Sequence, residues 1–139
     1  MQNLLSLFII FFCLNIYSNP MPLGLELNKT TNIDLTIKYK IINKEPNYLQ
    51  GYNYYIEPNI KTISKALMIC NDFNVIEAVI LTIDQNKFEE FYNILKDKYS
   101  LEEENDKVVT FKDGECVIIL KSSELNTEME LSIYNKRFL

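Results

Sequence analysis

Residues 75–83 read Val75-Ile76-Glu77-Ala78-Val79-Ile80-Leu81-Thr82-Ile83. Apolar side chains occupy both parities: Val75, Val79, Leu81 and Ile83 on one, Ile76, Ala78 and Ile80 on the other. A strand apolar on both faces belongs in the middle of a sheet. Immediately upstream, Lys65 to Cys70 is a second apolar run, and Asn71-Asp72-Phe73-Asn74 between them is a turn sequence. The pair reads as a β-hairpin. A shorter strand is expected over Tyr52 to Ile56, ahead of Pro58.

Downstream the period changes. Phe88, Phe91, Tyr92, Leu95 and Tyr99 form one apolar stripe at helical spacing, which predicts a helix over residues 87–99. Asn86 with Glu89 three residues on resembles a capping box. Glu89 and Glu90 early, and Lys96 and Lys98 late, suit the helix dipole.

The last third returns to strands. Val108 to Phe111 and Cys116 to Lys121 flank Lys112-Asp113-Gly114-Glu115, a strong hairpin signal. In residues 127–134, Met129, Leu131 and Ile133 alternate with Glu128, Glu130 and Ser132, so one face is buried and the other wet. Short hairpins impose antiparallel pairing, and a one-striped helix must cover a sheet face. The fold expected is therefore α+β: a two-layer sandwich in which one or two helices pack on an antiparallel sheet of about six strands.

Residues 32–42 fit two readings. Ile33, Leu35, Ile37, Tyr39 and Ile41 alternate as in a strand. Ile33, Ile37 and Ile41 also fit a helical stripe, with Thr31 and Asp34 available to cap it. Periodicity slightly favours the strand.

The 139-residue chain has 14 Lys and Arg against 19 Asp and Glu, 47% hydrophobic residues and no His or Trp. That apolar content and modest charge exclude intrinsic disorder and suit one domain with one core. An acidic chain argues against nucleic acid as partner. The absence of His excludes serine triads and histidine zinc sites. Three scattered glycines (Gly24, Gly51, Gly114) cannot build a phosphate-cradling loop.

The first residues differ from the rest. Leu4 to Leu14 is apolar except for Ser6, which is too short to span a membrane comfortably and matches the core of a signal peptide. Cleavage after Ser18 leaves a single domain over residues 19–139, exported to the periplasm or secreted, whose membrane contact is transient. Such a chain keeps Cys70 and Cys116, a candidate disulfide in an oxidising compartment or else two buried thiols.

Pro22-Leu23-Gly24-Leu25-Glu26-Leu27-Asn28-Lys29-Thr30-Thr31 resembles the opening of small exported proteins of Gram-negative bacteria. So do Ala78 to Ile83, the helix bearing Phe88, Glu89, Tyr92, Leu95 and Tyr99, then Phe111-Lys112-Asp113-Gly114 and Met129-Glu130-Leu131. More distantly the opening is similar to outer-membrane assembly lipoproteins of the SmpA/BamE type and to β-lactamase-inhibitor-like modules. That resemblance implies a helix over residues 32–42 and helices packed on an antiparallel sheet. Asn28 stands where those turns carry Gly, and Phe12-Cys13 is no lipobox, so lipid attachment is not implied.

Chemistry-bearing sets are few. Glu102, Glu103, Glu104 and Asp106 lack calcium-loop spacing and read as a solvated loop. Glu128 and Glu130 share a strand face, at a separation near that used by glycosidases, but such charges are ordinary on an exposed face. Tyr48, Tyr52, Tyr54 and Tyr55 crowd around Gly51 and are the candidate partner-binding residues, since tyrosine is enriched in interfaces. The alternative is a strand placing Tyr52 and Tyr54 inward and Tyr55 outward. The tail, residues 134–139, is basic and aromatic, and docking on the sheet is expected. No catalytic, metal or cofactor residue emerges. The leading expectation is a non-enzymatic envelope module that binds a protein partner. An inhibitor of a secreted hydrolase, and a small enzyme or ligand carrier using Asp, Glu and Tyr, are the alternatives.

Overall fold

A computed structural model describes residues 20–123 and 127–138. The apolar run Leu4–Leu14, Cys13 and the expected cleavage after Ser18 lie outside the described residues. In chain order the elements are α1 (Asn32–Lys38), β1 (Ile41–Pro46), β2 (Tyr52–Ile56), β3 (Ile63–Cys70), β4 (Ile76–Asp84), α2 (Phe88–Lys98), β5 (Ser100–Glu104), β6 (Val108–Asp113), β7 (Cys116–Lys121) and β8 (Glu128–Asn135). Short 3-10 turns occupy Pro22–Gly24, Gln85–Lys87 and Lys136–Phe138.

The fold is α+β with a single antiparallel sheet in the order β1-β2-β3-β4-β8-β7-β6-β5. Each helix precedes a four-strand meander, and the two meanders meet at β4 and β8, where Leu81 faces Leu131. The doubly apolar strand β4 is thus central. Val79, Leu81 and Ile83 are fully buried, as are Met68 opposite Val79 and Leu131 and Ile133 on β8. Leu35 of α1 and Phe91 and Leu95 of α2 join the same core cluster, together with Leu23, Leu25 and Leu27.

The sheet has eight strands, not about six. The two that the pattern did not announce, β1 and β5, are its edges, and almost every residue in them is exposed. An edge strand gains little from apolar residues and is protected from outside pairing by charges and bulges. Both edges carry a bulge, between Ile41 and Asn43 and between Leu101 and Glu103. The acidic run Glu102–Glu104 is accordingly strand and not loop, with Glu102 paired to Lys112 across the ladder.

Residues 32–38 are helical, not the strand that the alternation slightly favoured, and Ile41 and Ile42 already belong to β1. Thr31 accepts from the Asp34 N–H while the Asp34 carboxylate accepts from the Thr31 N–H, a complete capping box. The expected Asn86–Glu89 box does not form. Asp84 instead accepts from the Asn86 N–H and caps the 3-10 turn that leads into α2. At the second hairpin Asp113 pairs with Cys116, and Gly114 takes the left-handed φ of 55° that this tight loop requires.

Cys70 and Cys116 are both buried free thiols. Cys70 lies beside Ile76 on β4, and Cys116 lies beside Asn135 on β8. Strands β4 and β8 therefore separate them, by about three strand spacings or roughly 14 Å. A disulfide needs its Cα atoms within about 7 Å, so this fold does not join them. Desolvation pushes the Cys70 thiol up to about 12 and the Cys116 thiol to about 11. The unfolded thiols ionise from about pH 9, so the native state loses stability as pH rises from there towards 12 and keeps it fully below pH 9. Both thiols are expected to resist a thiol reagent such as DTNB at pH 8 in native protein and to react in denaturant without reductant. Protection that persists in denaturant until reductant is added would show them bonded.

Candidate functional site

One end of the sheet gathers the β1–β2 loop, the β3–β4 turn and the C-terminal tail. The first two are the same device built twice, each organised by an asparagine. Asn47 N–H donates to the Gly51 carbonyl, and its Oδ1 accepts from Leu49 N–H at 2.9 Å and Gly51 N–H at 3.1 Å. Asn71 N–H donates to the Val75 carbonyl, and its Oδ1 accepts from Phe73 N–H at 2.9 Å and Val75 N–H at 3.1 Å. Gln50 and Asn74 take matching left-handed φ values of 63° and 61°. Asparagine suits such turns because its short amide satisfies local backbone donors. The two loops are bolted together, since Asn47 Nδ2 donates to the Cys70 carbonyl at 2.9 Å.

Between these loops and the tail lies an open cleft of about 600 Å³ lined by Tyr48, Leu49, Gln50, Asp72, Arg137 and Phe138. Arg137 of that lining is held from behind by Glu77, which is only 5% exposed. Glu77 sits where β4 bulges against β3. Asn71 Nδ2 donates to its carboxylate at 3.1 Å, and the Arg137 guanidinium pairs with it from the tail. The tail is docked as expected. Lys136 N–H donates to the Glu115 carbonyl, and the Phe138 ring meets Tyr134 edge-on at 6.3 Å. Tyr48 and Phe73 project from the two loops, 80% and 79% exposed.

The four candidate tyrosines do not form one surface. Tyr54 is buried, and its hydroxyl accepts from Asn32 Nδ2. Tyr52 lies on the same face at the strand end, with Lys44 Nζ 4.1 Å from its ring centroid. Tyr55 points to the opposite face and donates to Glu45, whose carboxylate pushes the phenol up. Strand alternation separates them, and Tyr48 alone reaches the cleft. Glu128 and Glu130 share a face; Glu128 accepts from Ser64 and Glu130 from Ser132. Sequence reasoning missed Phe73, Glu77 and Arg137. The signal for the turns was an asparagine heading each loop, and Glu77 was the one charge inside the most apolar run.

Arg137→Ala leaves the Glu77 carboxylate buried without its cation. Because the Arg137 side chain is 53% exposed, solvent screens the pair, and the expected loss is about 1–2 kcal/mol. Adding Glu77→Gln should recover most of it, read from urea midpoints of the three variants. Equal midpoints in wild type and Arg137→Ala would mean that the pair is idle.

Among the described residues no helix is long and apolar enough to cross a membrane. Comparison with protein-family models, curated proteins and solved structures finds no match.

Proposed function

We propose that this protein is a non-enzymatic, exported envelope module that binds a protein partner through the end of the sheet bearing Tyr48 and Phe73. The observation that carries the reading is the exposure of those two rings on loops held by paired asparagine turns. A rigid aromatic side chain buries much area at small entropic cost when a partner covers it, which is what makes such residues binding hot spots. The cleft beside them adds charged groups, Asp72 and Arg137, for orientation. The apolar run Leu4–Leu14 supports export. The core cluster shared by both helices supports a two-layer arrangement in which the helices back one sheet face.

The test is affinity capture of tagged protein from envelope fractions of its host after mild crosslinking. Wild type is compared with a Tyr48→Ser, Phe73→Ser double variant. One stoichiometric partner, recovered at least about tenfold less with the double variant, is the expected result. Both substitutions fall on exposed side chains, so the melting temperature should not move. Equal recovery with the double variant, or no partner where a control envelope complex survives, would sink the proposal.

A further inference from the structure

The two meanders begin with the same device. Leu35, Lys38, Tyr39 and Ile41 stand where Leu95, Lys98, Tyr99 and Leu101 stand in the second unit. Both leucines are fully buried. Both tyrosines end their helix in extended backbone and donate their N–H to that leucine's carbonyl. Both following strands bulge at the next register position.

This correspondence gives each outward position an internal control. In the second unit those positions are Asn93, Asp97 and Glu102, all exposed and polar. In the first they are Ile33, Ile37 and Ile42, exposed by 65%, 79% and 63%. The same scaffold therefore keeps water-compatible residues on α2 and β5 but carries Ile33 and Ile37 outward on α1 and Ile42 on the edge strand β1. Apolar groups gathered on a surface and rimmed by charge mark an interaction face.

We infer that the outward face of α1 is an interface between two copies of this chain. The face is self-complementary. In a twofold interface, residue i meets residue j and j meets i. An antiparallel pair of α1 helices centred near residue 35 sets Ile33 against the partner's Ile37 and Asp34 against the partner's Lys38, each twice. Lysine then faces carboxylate at both flanks, and like charges are kept apart. Both charged side chains are already positioned, Asp34 by the capping box and Lys38 by a 3.0 Å hydrogen bond to the Gly24 carbonyl. A helix of seven residues makes a small interface, so the dimer is weak and concentration-dependent. This inference is independent of the cleft.

Sedimentation velocity on the purified protein, from low micromolar to near-millimolar concentration, should show a monomer–dimer shift. Ile37→Glu should weaken it by at least about tenfold while leaving the melting temperature unchanged, since the side chain is exposed. An Ile33→Cys, Ile37→Cys double variant should form a disulfide-linked dimer on oxidation, and each single variant far less. The buried Cys70 and Cys116 do not compete, and all variants carry Cys13→Ser. A monomer at every concentration, or a dimer indifferent to Ile37→Glu, overturns the interface. Equal crosslinking by Ile33→Cys alone overturns the antiparallel arrangement.

Discussion

Phe91→Ala is expected to cost about 3–5 kcal/mol, and Phe91→Asp to leave the chain unfolded at room temperature. Phe91 is fully buried within the core cluster, alongside Leu95 from the next turn of α2. Truncating a buried phenylalanine loses its transfer free energy and leaves a cavity that the surroundings only partly fill. A domain of this size has about 5–15 kcal/mol in total. The alanine variant should therefore melt early but cooperatively. The aspartate adds the cost of burying a charge with no partner, several kcal/mol more. Asn93→Asp, two residues away on the exposed face, serves as the control and should change little. Urea denaturation followed by circular dichroism separates the cases. Near-native stability of Phe91→Asp would show that α2 does not pack as described.

The interior of this fold was legible because burial imposes a period. The run over residues 75–83 declared itself central, and the helical stripe and the alternation through Met129, Leu131 and Ile133 declared their faces. The edges were not legible. β1 and β5 have no buried face to impose alternation, and the glutamates of β5 read as a solvated loop. The correspondence of Leu35, Lys38, Tyr39 and Ile41 with Leu95, Lys98, Tyr99 and Leu101 was present in the letters. It would have placed both edge strands, since each unit must then repeat the same order of elements.

The site was less legible than the fold for a different reason. Tyrosines close in sequence are not neighbours on a strand, because successive side chains leave by opposite faces. The cleft instead joins residues far apart in the chain, Tyr48, Asp72 and Arg137, through hydrogen bonds between loops. Only the register between β2, β3 and β4 brings those loops to the same end of the sheet.

Gly51→Ala tests that loop assembly directly. A Cβ at Gly51 would lie 2.2 Å from the Cys70 carbonyl oxygen and 2.3 Å from that of Asn71, both backbone atoms fixed by the β3–β4 turn. Neither can swing aside as a side-chain tip would. The β1–β2 loop must lift, and lifting it breaks the Asn47 Nδ2 bond to the Cys70 carbonyl that couples the loops. Overpacking of this kind costs about 1–3 kcal/mol and occasionally more, and the lost hydrogen bond adds about 1 kcal/mol. Gly114→Ala is the contrast. Its φ of 55° strains any other residue, but nothing lies within 4 Å of an added Cβ. That change should cost about 1–2 kcal/mol through backbone strain alone. Gly51→Ala should therefore be the more destabilising in urea. It should also shift the backbone amide resonances of residues 47–53 and 70–75, whereas Gly114→Ala perturbs only its own hairpin. If Gly51→Ala is the milder change, the two loops are not packed against each other, and the cleft between them and the tail loses its wall.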